Sequence, residues 1–122
     1  MTHYLLSVHT AVDATPAAAS GGEEAMRAYA KGIEALEGEM RSAGALVFSG
    51  RLDEPKAAAV VRAANGTVQT TDGPFIESKE AIGGFYIIEA PSQESAREWA
   101  TKTSAVVGMP IEIRPFIDAR QG

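Results

Sequence analysis

The chain opens on strict alternation. Residues 3–9 place Tyr4, Leu6 and Val8 on one side of an extended backbone and Leu5, Ser7 and His9 on the other, which predicts a strand. Residues 10–22 lose that pattern; Ala, Ser, Gly and Pro dominate and predict a loop. The period then changes. Met26, Tyr29, Ile33, Leu36 and Met40 recur at helical spacing, so a helix is expected over 23–43. Glu23 and Glu24 suit the positive end of its dipole, and Gly44 ends it. Gly32 and Gly38 inside it predict close packing against a sheet.

Alternation returns over 45–52, with Leu46 and Phe48 on one face and Val47, Ser49 and Arg51 on the other. Phe48 and Trp99 are read as core residues by this spacing. After a turn at Asp53-Glu54-Pro55-Lys56, residues 57–63 and 67–71 read as paired strands. They are joined at Asn65-Gly66, two residues able to adopt the positive φ of a tight hairpin. Residues 84–89 form an apolar run that predicts a central strand opening at Gly83-Gly84. Ser92 is the expected N-cap of a second helix with Ala96, Trp99 and Ala100 facing inward, and Gly108-Met109-Pro110 breaks it. Residues 111–116 predict the last strand, with Ile111 and Ile113 opposite Glu112 and Arg114, and 118–122 form a tail.

This order predicts an α+β, ferredoxin-like sandwich: βαβ, a hairpin, then βαβ, with two helices on one face of an antiparallel sheet. The uncovered face would carry Leu5, Ser7, His9, Val47, Ser49, Arg51, Glu112 and Arg114. Such a mixture suits neither a solvated face nor a dry core. It suits a homodimer interface that encloses a cleft for a small molecule.

Composition narrows the chemistry. A chain of 122 residues predicts one domain, 1–122. The absence of Cys removes disulfides, thiolate catalysis and zinc–cysteine sites, and two His without an acid triad predict no metal. A net charge of -5 argues against nucleic acid as a partner. No apolar run is long enough to span a membrane and no signal-peptide pattern opens the chain, so a cytoplasmic protein without membrane partners is expected. No glycine pattern sits between a strand and a helix as a nucleotide loop requires, so no cofactor is expected.

The closest concentration of acid, base and turn residues lies over 71–88. Asp72, before Gly73-Pro74, has two readings: a general base at a sheet edge, or a side chain that bonds its own backbone and builds the turn. His9 is the candidate partner, an imidazole placed on the open face. For an anionic ligand, Arg51, Arg62 and Arg114 supply planar forks, Lys79 a point charge, Phe75 an apolar anchor and Ser49 a hydroxyl. The other reading pairs the arginines with Glu112 or Asp72 and leaves Glu77, Lys79 and Glu80 as a solvated surface.

Asp72-Gly73-Pro74-Phe75, with Glu77, Lys79, Glu80 and Gly83-Gly84-Phe85-Tyr86, resembles the DGPF branch of the YCII-related family. Tyr4-Leu5-Leu6, Ala43-Gly44 ahead of Leu52, and Glu112-Ile113-Arg114-Pro115 extend the resemblance over nearly the whole chain. It implies a dimeric ferredoxin-like domain similar to the muconolactone isomerase type. It also implies, if the protein is an enzyme, a cofactor-free lyase or isomerase using Asp72, since relatives in the wider group are lyases of small ring-cleavage products. In that group a His on the first helix is the proposed partner of the Asp; residues 23–43 contain no His, so that pair is not carried over. The branch is also found beside alternative sigma factors, which implies a non-catalytic regulatory or sensing module as the alternative.

Overall fold

The computed structural model describes residues 1–11, 22–74 and 80–117. In chain order these form β1 (Thr2–Ala11), α1 (Gly22–Ser42), β2 (Leu46–Arg51), a short 3-10 turn (Pro55–Ala57), β3 (Ala59–Ala64), β4 (Thr67–Asp72), β5 (Glu80–Ala90), α2 (Gln93–Val107) and β6 (Ile111–Pro115). Four strands make one antiparallel sheet in the order β2-β5-β1-β6, and β3 pairs with β4 alone. This is the ferredoxin-like order, with the hairpin inserted before β5.

The apolar side of the alternation is the helix-covered side. Tyr4, Leu6, Tyr86, Ile88 and Ala90 from the sheet meet Leu36 and Met40 of α1 and Ala96 and Ala100 of α2, with Trp99 packed at the margin. Local signals act where the residues predict. The Ser95 amide donates to Ser92 Oγ at 3.1 Å, and Gly108 closes α2 at φ 72°. Asn65 and Gly66 turn the hairpin at φ 52° and 78°. Gly32 is a contact between helices, since a Cβ there would lie 3.2 Å from Val106 Cγ1; nothing lies so near Gly38. The apolar stripe of α1 is buried at its C-terminal end only, and Met26 is exposed.

Three expectations are corrected. Leu46 faces Ile88, but Phe48 faces Ile87, so the register slips by one between them. Such a bulge sends every later side chain to the opposite face. Phe48 therefore leaves the core, is 59% exposed, and sets its ring 6.0 Å from that of Phe85. Ser49 and Arg51 fall in register with Tyr86 and Gly84, on the helix-covered side and not on the open face. The central strand begins at Glu80, so Gly83 and Gly84 lie inside it. A Cβ on Gly84 would stand 3.2 Å from the Gly50 carbonyl oxygen, which is why β2 closes on a residue without one. Finally, residues 55–57 form a 3-10 turn, and the hairpin strand starts at Ala59. Of the predicted loop over 10–22, the ends belong to β1 and α1; residues 12–21, like the tail at 118–122, lie outside the described residues.

One polar tie locks α1 to the sheet. The Tyr86 hydroxyl donates to a Glu37 carboxylate oxygen at 2.9 Å, and Arg41 holds the other oxygen at 3.3 Å. Burial, reinforced by Glu37, pushes the Tyr86 phenol well above its ordinary value. Tyr86→Phe leaves the carboxylate short of a charge-assisted bond. It is expected to cost about 1.5–3 kcal/mol in urea unfolding with an unchanged slope. The folded state holds this proton more tightly than the unfolded chain. The contribution is therefore fully present below the ordinary value of 10.0 and is lost as the pH rises beyond it, a dependence Tyr86→Phe removes.

Candidate functional site

The face of the sheet away from the helices is built by cross-strand neighbours, which share a side. Leu5 stands between Ile87 and Arg114, Ser7 between Phe85 and Glu112, and His9 opposite Ile82. From the other edge, Phe48 joins Ile87 and Gly50 joins Phe85. A Cβ at Gly50 would touch the Phe85 ring at 3.0 Å, so the glycine makes room for that ring. The result is an apolar centre of Leu5, Phe48, Phe85 and Ile87, bordered by His9, Glu112 and Arg114.

Two residues of this face are specially placed. Ser7 is only 1% exposed, although no helix covers its side. Its Oγ lies 3.1 Å from Nε2 of His9. The strand brings them together because residues two apart project to the same side. A second register slip, between Val8 and His9, skips Gly83 and sets His9 against Ile82. Bulges of this kind re-aim a side chain locally. The His9 amide donates to the Pro110 carbonyl at 3.3 Å, fixing its backbone against the residue just before β6 begins. The other histidine, His3, is 3.3 Å from a Glu89 carboxylate through Nε2, at the opposite end of the strand.

Of the residues the sequence singles out, His9 and Arg114 come to this face, and Ser49 and Arg51 do not. Phe75 and Lys79 lie outside the described residues. Asp72 is exposed at the end of β4, opposite Ala59. The Gly73 amide donates to the Ala58 carbonyl at 2.6 Å and extends the pairing of β3 with β4 one residue past Asp72, with Gly73 at φ 104°. Sequence reasoning placed Ser7 on the face without giving it a role; the signal was its spacing of two from His9. Phe48 was missed because nothing in the alternation marks a bulge.

A hollow among the described residues lies elsewhere. It has a volume of about 260 Å³ and is lined by Met1, Gly44, Glu89, Glu98, Trp99 and Lys102, among others. Lys102 belongs to its wall: its ammonium is 5.0 Å from the Trp99 ring centroid and 3.3 Å from Glu39. Among the described residues no group of three or more His, Asp or Glu could hold a metal, and no helix is long and apolar enough to cross a membrane.

A family model described as the YCII-related domain matches residues 8–118. The chain belongs to the YCII-related family. The matched span takes in the hairpin of this YCII-related chain with Asp72, and of the open face His9 and Arg114 but not Leu5 and Ser7. It is also 36% identical over 72 residues to an uncharacterised protein of Rhizobium meliloti (strain 1021), over 59% of this chain. The chain spans 58% of the length of that relative.

Proposed function

We propose that this YCII-related protein binds a small anionic organic molecule on the open sheet face, where a second copy of the chain closes the cleft. The observation that carries the reading is the Ser7–His9 pair, set beside an uncovered apolar surface with Arg114 on the same side. An antiparallel sheet with helices on one face needs its other face solvated or covered, and Phe48, Phe85, Leu5 and Ile87 are poor residues to leave in water. Arg114 offers the fork that a carboxylate prefers. On this reading His9 and Arg114 contact the ligand, and Asp72, at the end of β4, with Phe75 and Lys79 of the segment that follows it, are the further ligand groups. The reaction class that suits these groups is cofactor-free lyase or isomerase chemistry, with Asp72 as acid–base group.

A second reading, a sensing module that binds the same ligand without turning it over, is favoured by one observation. Asp72 is exposed, whereas acid–base catalysis calls for a carboxylate held within hydrogen-bond reach of an enclosed substrate. Thermal shift against a panel of small carboxylic acids tests the binding. A ligand at 100 times its Kd stabilises the native state by about 2.7 kcal/mol. Arg114→Ala, with an affinity about tenfold weaker, is expected to halve that stabilisation to about 1.4 kcal/mol at the same ligand concentration. Asp72→Asn is expected to keep the parent's stabilisation and, in the catalytic case alone, to abolish turnover. A panel that shifts the melting point of neither parent nor variants overturns the binding reading.

A further inference from the structure

The single bond between Ser7 and His9 decides which nitrogen of His9 is available. Ser7 is 1% exposed, and among the described residues its hydroxyl has no other partner than Nε2. A hydroxyl has one proton to give and lone pairs to accept with. If Nε2 carried the imidazole proton and gave it to Ser7, the hydroxyl proton would be left buried without an acceptor. A buried donor without a partner is the costlier arrangement, and it is avoided when Ser7 donates to a bare Nε2. The neutral ring then carries its proton on Nδ1, which has no hydrogen-bond partner among the described residues.

We infer that buried Ser7 is a positioning residue that fixes neutral His9 as the Nδ1–H tautomer, so that His9 meets its ligand as a hydrogen-bond donor to a carboxylate or carbonyl oxygen. This rests on the proposed binding at the open face and sharpens it. His9 polarises or holds an oxygen and does not withdraw a proton, so any base lies elsewhere. Arg114 and the Nδ1–H group, both on this face, are complementary to an anionic oxygen, and the Phe85–Phe48 surface to an apolar or aromatic body. Glu112, across from Ser7, is the acid nearest the centre of this face, while Glu89, opposite His3, and Glu80, opposite Ala11, stand towards its two ends; the Glu112 charge disfavours an acidic group beside Ser7 and so directs the ligand's oxygen to the His9 and Arg114 borders.

Long-range 15N–1H spectra read the tautomer directly, at a pH where both imidazoles are neutral. The chain has two histidines, and His3, held by Glu89, serves as the internal reference. The wild type is expected to show a protonated Nδ1 and a lone-pair Nε2 for His9. Ser7→Ala is expected to move the proton to Nε2 at His9 and to leave His3 unchanged, and Ser7→Thr to restore the wild-type pattern. The backbone amide spectrum verifies that each variant is folded. A protonated Nε2 in the wild type, or a His9 pattern indifferent to Ser7→Ala, overturns the assignment. Benzoate is the probe for the ligand. It is expected to shift the His9 Nδ1–H signal saturably, with apparent affinity about tenfold weaker in Arg114→Ala. If the tautomer is as stated and benzoate shifts nothing at His9, the donor role and the binding reading fall together, while the Ser7 positioning remains.

Discussion

Phe85→Glu is expected to convert a dimer at micromolar concentration into a monomer that remains folded. The face proposed as the interface is centred on Phe85, with Ile87 two residues along the same strand and Phe48 and Leu5 on the flanking strands. In a two-fold dimer the same patch meets itself, so one substitution enters the contact twice. An unpaired carboxylate buried among apolar groups costs several kcal/mol. At about 3 kcal/mol for each copy, roughly four decades of affinity are lost. Within one protomer Phe85 is only half-buried and lies on the side away from the helices, so folding tolerates the change. Arg51→Glu supplies the contrast. Arg51 stands on the other side of β2, in register with Gly84, and its reversal is expected to leave association intact. Multi-angle light scattering of the three proteins decides the matter. A monomeric wild type overturns the interface outright, as does a Phe85→Glu variant that associates like the parent.

Where residues act through local chemistry, the sequence is legible. Ser92 caps, Gly108 and Gly44 terminate, Asn65-Gly66 turns, and the alternation of β1 divides Tyr4, Leu6 and Val8 from Leu5, Ser7 and His9 as the structure does. What is not legible is register across strands. Val47 and Gly83 are ordinary residues in apolar runs, and only pairing with β5 and β1 reveals each as an extra residue. The slip at Val47 exchanges Phe48 for Ser49 and Arg51 on the open face, making that face more apolar and less charged than alternation predicts. The slip at Gly83 sets His9 against Ile82. The candidate site inherits this division. The proximity of Ser7 and His9 follows from a spacing of two in an extended strand, whereas the company they keep depends on β5 and β6.

Leu6→Ala is expected to give the largest loss of stability of any single truncation on β1. Leu6 is fully buried, faces Tyr86 on one side and Ile113 on the other, and belongs to the cluster between the sheet and both helices. Removing it deletes buried methyl groups and leaves a cavity that a central strand cannot collapse to fill, for a cost of about 3–5 kcal/mol. Domains of ordinary stability have about 5–15 kcal/mol in total, so much of the folding free energy goes with one side chain. At roughly 4 °C for each kcal/mol in a chain of this size, the melting temperature falls by more than 10 °C. The neighbouring residue separates core from interface. Leu5 points to the open face and is half-buried within the protomer. Leu5→Ala therefore weakens folding less, but where a second copy covers that face its cost must depend on protein concentration, as the stability of an associating protein does. Leu6→Ala acts inside one protomer and adds no such dependence of its own. Urea unfolding of the wild type and both variants over a hundredfold range of concentration distinguishes them. A Leu5→Ala cost that is the same at every concentration means that the open face has no partner copy, whatever Leu6 does.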